Sequence, residues 1–306
     1  PFIEGSQQIG GRHAAGGELT MMINYPEFEA MLLEQEAGAT TILFKYINIV
    51  NRYFTENNDL SQDAQKEALE YIYNEARSAH PLIAIFPHLQ AYLMKKIADD
   101  KSIPEILLEY GNKIKENNDK TVETAVKKLI KDGSKIFTFS HSSVVRKAIM
   151  EAASTGKRFE VILTEARPVG EGIALAKFLG RAGIPVSLYT DAAMELAISR
   201  CDSVLVGTDW YWHRGFINKI GTHSALRIAF EREKDFYILS DSSKYMRTPP
   251  ADWSRDKHPA SQILMEQIEN VTVYNPYFES IWFKGVSNII IDGEMKTFNQ
   301  KHEIIM

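Results

Sequence analysis

VILTEARPVGEGIALAKFLGRAGIPVSLYTD, residues Val161–Asp191, decides the fold. It opens on a short apolar, β-branched run and closes on a second one that starts at Pro185. Between them Gly172–Ala182 reads as a helix, and Gly183 suits the left-handed position that ends one. A strand, a helix and a strand in this order make a βαβ unit. Strands that are apolar throughout, not alternately, belong to a parallel sheet covered on both faces.

The same grammar extends outward from this unit. Lys135–Phe139, Phe159–Glu165, Pro185–Asp191, Ser203–Asp209 and Asp235–Asp241 read as five buried strands. Val144–Ala153, Gly172–Ala182, Met194–Arg200 and Lys219–Glu231 read as the helices between them. Before Gly133 the pattern is helical only, from Tyr25 to about Ile130, with Pro104 after a serine as a first-turn proline. Glu105–Tyr110 and Thr121–Ile130 are taken as separate helices within that half. The expected fold class is therefore α/β, with a helical N-terminal domain over 23–132 and a parallel-sheet domain over 133–306. Residues 1–22, rich in Gly and Gln, are expected to be a flexible arm or a segment foreign to the natural chain.

Composition narrows the function. A formal net charge of -5 supplies no field for wrapping nucleic acid, so direct nucleic-acid binding is not expected. No apolar stretch approaches the ~20 residues needed to span a bilayer, so no membrane role is expected. One cysteine, Cys201, excludes an intrachain disulfide framework and suits a cytoplasmic protein. No metal and no cofactor are expected; in particular, no G-x-G-x-x-G follows the first strand.

Four strands end in a hydroxyl residue followed by an acid: Thr164-Glu165, Thr190-Asp191, Thr208-Asp209 and Ser240-Asp241. Ligands of open parallel sheets sit at the carboxyl ends of the strands, so these groups converge on one edge. Each acid taken alone also reads as the cap of the next helix. After Asp209 come Trp210, Tyr211 and Trp212, expected as an exposed aromatic loop that marks an interface and hence a homodimer. Asn218, Lys219, Gly221 and Thr222 then lead into an apolar-periodic helix. An amide, an ammonium and a hydroxyl beside a helix start suit an anion, although an ordinary capped helix with a solvated lysine has the same pattern. The glycine spacing is not that of a Walker A loop.

These residues resemble the translation initiation factor 2B alpha/beta/delta subunit family, whose superfamily includes methylthioribose-1-phosphate isomerase and ribose-1,5-bisphosphate isomerase. The matching motifs are Thr164-Glu165 with Arg167-Pro168, Asp191-Ala192-Ala193, Gly207-Thr208-Asp209, and Ile217–Thr222, in that order along the chain. The resemblance implies a Rossmann-like second domain, dimer-forming surfaces within it, and a sugar-phosphate or nucleotide ligand. It implies Arg167, Asp191, Asn218, Lys219, Gly221 and Thr222 as ligand-binding residues. Assembly as a homodimer or higher oligomer, with initiation factor subunits as partners, follows from the same likeness.

The isomerases of that superfamily use a cysteine after the first strand together with the aspartate that Asp209 matches. Here the first-strand loop reads FTFSHSSVV, so His141 or a neighbouring serine stands in that region. Cys201 lies elsewhere and is expected in the core. The isomerases' RGA-type loop finds only a loose echo around Arg12, and Glu279 is a weak match to a further acidic residue. The expected function is a binding or regulatory subunit with a phosphate-accepting pocket. The alternative is an aldose–ketose isomerase of a phosphorylated ribose, with Asp209 and His141 as its catalytic pair.

Overall fold

The computed structural model describes residues 25–34, 37–97, 101–250 and 258–305. The expectations for 1–22, the Arg12 segment included, lie outside these residues. Five helices come first: α1 (Pro26–Leu32), α2 (Ala39–Glu56), α3 (Gln62–Ala79), α4 (Ile85–Ile97) and α5 (Ile103–Lys128). α5 joins the two helical stretches read as separate. Its start is fixed by a capping box, in which the Ser102 side chain and the Glu105 carboxylate satisfy each other's backbone N–H groups, with Pro104 in the first turn. The polar run between the stretches hid its continuity, because only Tyr110, Gly111, Ile114, Asn117 and Thr121 mark the buried stripe there. The first half of α5 packs among the helices through Ile106, Leu107 and Tyr110. The second half packs on the sheet through Val122, Ala125 and Val126.

The main sheet has seven strands: β1 (Lys135–Thr138), β2 (Glu160–Thr164), β3 (Val186–Tyr189), β4 (Ser203–Val206), β7 (Asp235–Ser240), β9 (Asn288–Ile291) and β10 (Glu294–Lys296). Their order is β10-β9-β7-β4-β1-β2-β3, and only the edge strand β10 runs antiparallel. Alternate residues feed two cores. Phe137, Ile162, Val204 and Ile238 face one layer, while Ile136, Val161, Leu205 and Leu239 face the other. That is why the strands read as continuously apolar. Helices α6 (Ser143–Ser154), α7 (Glu171–Arg181), α8 (Met194–Ser199) and α9 (Thr222–Glu231) connect them, giving the Rossmann-like arrangement.

The exposed aromatic loop is corrected. Trp210–Trp212 is a strand, β5, which pairs antiparallel with β6 (Gly215–Lys219), and β6 pairs with β8 (Phe278–Trp282) in a separate three-stranded sheet. Trp210, Tyr211 and Trp212 are all buried, and the Trp210 indole N–H donates to the Thr248 carbonyl. The tight return at Gly215 admits no side chain, since a Cβ there would lie 2.5 Å from the Ile281 carbonyl oxygen. These aromatics fill the molecule's own interior, so they give no argument for a dimer. The helix read as starting at Lys219 begins three residues later, because Lys219 closes β6.

Candidate functional site

β1 and β4 are neighbours in the middle of the sheet, and the chain leaves them in opposite directions, β1 leading on to β2 and β4 to β7. A crevice opens at such a reversal. Here it holds a cavity of about 260 Å³, lined by Phe139–Ser143 after β1, Gly207–Asp209 after β4, the Lys219 end of β6, and the Gly38–Thr40 start of α2. Gly207 is required by the approach of these loops, because a Cβ there would fall 2.3 Å from the Ser142 hydroxyl oxygen. Thr208 ties the floor to the second sheet, its hydroxyl oxygen lying 2.9 Å from the Trp210 carbonyl and 2.8 Å from the Ile217 carbonyl.

Asp209, His141, Asn218 and Lys219 meet in this cavity. Burial raises the Asp209 carboxyl above the ordinary range, against Lys244, the Ala39 backbone N–H and Lys219, which favour its charge. The Ala39 contact places the carboxyl at the α2 N-terminus, where the helix dipole also favours an anion. Burial first, and the Arg146 guanidinium second, lower the His141 imidazole below its usual value. The cavity thus sets a carboxyl held toward its neutral form beside an imidazole held toward its neutral form.

Lys219 is not a solvated helix-start lysine. Its Nζ lies 2.8 Å from Glu171 Oε1, with side-chain exposures of 3% and 7%, and stands 4.4 Å from the Tyr277 ring centroid. Burial raises the Glu171 carboxyl, and Lys219 opposes that rise. Lys244, only 4% exposed, lines the same cavity and has no ion pair among the described residues. A buried ammonium with no acidic partner in contact among the described residues invites an anionic ligand.

Arg167, Asp191, Gly221 and Thr222 are outside the cavity lining. Asn218 Nδ2 donates to Thr222 Oγ1 at 3.1 Å, and that hydroxyl donates to the Lys219 carbonyl at 2.6 Å. The Gly221 and His223 N–H groups donate to Glu279 Oε1 at 2.7 and 2.9 Å, so the α9 N-terminus is already served by a carboxylate. Asp191 accepts the Ala166 and Arg167 N–H groups at 3.0 and 2.7 Å, which orders the turn after β2. The Arg167 side chain is exposed and reaches toward the Gln262 carbonyl. Asp241 is fully buried and caps the short turn Ser242–Lys244 by accepting from Ser243 N–H and hydroxyl. Cys201 packs in the core, where burial pushes its thiol up to about 11.

Glu171, Lys244, His80 and Tyr277 were missed in the sequence. Glu171 stands one residue before the helix read over Gly172–Ala182, and Lys244 lies past the end of the strand read over Asp235–Asp241. His80, which precedes a proline in the sequence, lines the cavity with its ring Nε2 2.8 Å from the Met31 carbonyl. They come from the start of α7, the turn after β7, the α3–α4 turn and the segment before β8, and only the fold brings them together.

Comparison with known proteins agrees with this architecture. The chain is 35% identical over 151 residues to translation initiation factor eIF2B subunit alpha of Dictyostelium discoideum, covering 49% of this chain and 44% of that protein. It is 35% identical over 172 residues to ribose 1,5-bisphosphate isomerase of Archaeoglobus fulgidus, covering 52% and 54%. The matches therefore span about half the length of these relatives. The crystal structure of the Pyrococcus horikoshii OT3 translation initiation factor eIF-2B superposes with a TM-score of 0.74 at 26% identity, over 88% of this chain and 94% of that one. The tetrameric eIF2B-beta2-delta2 complex from C. thermophilum shares the fold, with a TM-score of 0.65 at 16% identity over 90% of each chain. Among the described residues no helix is long and apolar enough to cross a membrane. The model of the initiation factor 2 subunit family matches residues 35–292, and the chain belongs to that family.

Proposed function

We propose that this chain is a binding or regulatory subunit of the initiation factor 2B type that holds a sugar phosphate or a nucleotide in the cavity at the carboxyl edge of the sheet. The observation that carries this reading is the convergence of Lys244, Lys219, Asn218 and Asp209 in one enclosed crevice. A phosphate has a cation to meet at Lys244, and the sugar hydroxyls have Asp209 and Asn218. Self-association and assembly with other initiation factor subunits belong to the same proposal. They are supported by the fold shared with a tetrameric complex, and a purely monomeric species in sedimentation would speak against them.

One observation favours the isomerase as a second reading. Asp209 and His141, whose pKa values are displaced toward each other, face one cavity, which is what a proton shuttle between adjacent carbons needs. The cavity offers no thiol, since the one cysteine lies in the core. Calorimetry with ribose 1,5-bisphosphate and with AMP tests the binding reading. NMR of the same mixture then detects any ketose product. Binding without conversion supports the regulatory subunit, conversion the isomerase, and no binding of either compound rejects both.

A further inference from the structure

Lys219 and the acids that line the cavity already have counter-charges inside the protein before any ligand arrives, while Lys244 has no ion pair among the described residues. Lys219 is held by Glu171 at 2.8 Å, and Asp209 lies within the field of Lys244. Glu34, at the rim, is paired with Lys45. A phosphate dianion placed against Lys219 would meet the Glu171 carboxylate within a few ångströms. Like charges that close in a poorly screened interior repel strongly. Either the ion pair must part or Glu171 must lose its charge. Parting is costly, because both side chains are buried and, among the described residues, neither has another partner of opposite charge in contact.

We propose that Glu171 is the residue that sets the charge of the ligand: the phosphate that Lys244 draws into the crevice also meets Lys219, and it enters together with one proton, which Glu171 takes up at Oε2. The geometry provides for it. Oε1 faces Lys219, while Oε2 is buried with no hydrogen-bond partner among the described residues. Once protonated, Oε2 becomes a donor able to point at a phosphate oxygen, and the repulsion becomes a hydrogen bond. The remaining charge of the site then favours the anion, because Lys219 is released from its internal counter-charge.

The surroundings of Glu171 act in the same sense or can be separated from it. Among the described residues Lys219 is its one cation in contact, and Tyr277 covers that ammonium. Asp209, at the end of β4, pushes the Glu171 carboxyl further up, beyond the larger effect of burial. Across the cavity stand Lys244, His141, His80 and His258. The histidines can also take up protons when an anion binds, so the proton belonging to Glu171 must be read as a difference between two proteins.

This inference rests on the phosphate reading of the cavity, and the experiment keeps the two apart. Ribose 1,5-bisphosphate is titrated calorimetrically into wild type and Glu171→Gln at pH 7.5, in buffers of different ionisation enthalpy. The proposal expects wild type to take up more protons than Glu171→Gln, by a sizeable fraction of one proton, and Glu171→Gln to bind at least about tenfold tighter. Equal proton uptake and equal affinity in the two proteins would overturn it while leaving the phosphate site standing. Binding to neither protein would overturn both. Should Glu171→Gln fold poorly, ¹³C NMR of the glutamate carboxyl carbons in wild type reads the same event. A glutamate that passes from carboxylate to carboxylic acid on addition of the ligand supports the proposal, and an unchanged glutamate spectrum in a saturated sample overturns it.

Discussion

Glu279 Oε1 accepts the backbone N–H of Gly221 at 2.7 Å, so the N-terminus of α9, the place where the sequence invites an anion, is filled by the protein's own carboxylate. The same oxygen takes the His223 N–H at 2.9 Å. Helix starts favour negative charge whatever its source, and strand β8 delivers it opposite Asn218 in the register of the second sheet. Glu279→Ala should therefore cost stability, about 1–3 kcal/mol for two charge-assisted bonds replaced by water. Urea denaturation at neutral pH checks it, and an unchanged midpoint would show that the carboxylate contributes nothing to the helix.

Lys219→Ala should destabilise the protein by about 3–5 kcal/mol, because it leaves Glu171 buried with no counter-charge. A lysine solvated at a helix start would lose less than ~0.5 kcal/mol on the same substitution. Chemical denaturation separates the two outcomes by several-fold. Glu171→Gln in the Lys219→Ala background should recover part of the loss, since it removes the orphaned charge.

Gly207→Ala should disturb the site more than the fold. The added methyl would stand 2.3 Å from Ser142 Oγ and 2.6 Å from its Cβ, so the loop bearing His141 must shift. Overpacking of this kind costs about 1–3 kcal/mol. Circular dichroism should remain native-like while affinity for ribose 1,5-bisphosphate falls. Unaltered affinity would mean that the loop moves without consequence for the ligand.

Stability should decline as pH falls below the ordinary histidine range. His80, His88 and His141 all have pKa values lowered first by burial. Below 6.5 the unfolded chain takes up protons that these rings refuse in the native state, so acid favours unfolding until their folded pKa values are reached. Glu171 and Asp209 act in the opposite sense. Their raised values make the native state bind protons more readily, which adds stability below their folded pKa values and removes it as pH rises through them. Denaturation midpoints at pH 7.5 and 6.0 should differ, with the lower pH the less stable. A flat profile would show the histidines to be compensated elsewhere.

What could be read from the sequence followed periodicity. Strands apolar on both faces, such as Val161–Thr164, announced a covered parallel sheet, and the acids at their ends pointed to the edge where the cavity lies. β9 and β10 were missed because SNIII is short and follows a loop. The β5–β6 hairpin was missed because three aromatics before His213 look the same in a loop as in a buried strand; only pairing with Phe278–Trp282 distinguishes them. The site was half legible. Asp209 stood at a strand end and Lys219 in a polar cluster, but nothing local relates Glu171 to Lys219 or brings Lys244 and His80 to the same space. Those relationships are made by the sheet order and by the helices closing over it.

The central claim is that a phosphate ligand lies in the crevice between β1 and β4, and not at the Arg167 turn. Calorimetric titration of ribose 1,5-bisphosphate into wild type, Lys244→Ala and Arg167→Ala tests it most directly. Lys244 lines the crevice with no acidic partner in contact among the described residues, whereas Arg167 is exposed and outside the lining. A charge-assisted contact contributes on the order of 1.5–3 kcal/mol, so Lys244→Ala should bind roughly tenfold or more weakly, with Arg167→Ala close to wild type. A large loss in Arg167→Ala with none in Lys244→Ala would contradict the account and move the ligand to the outer turn.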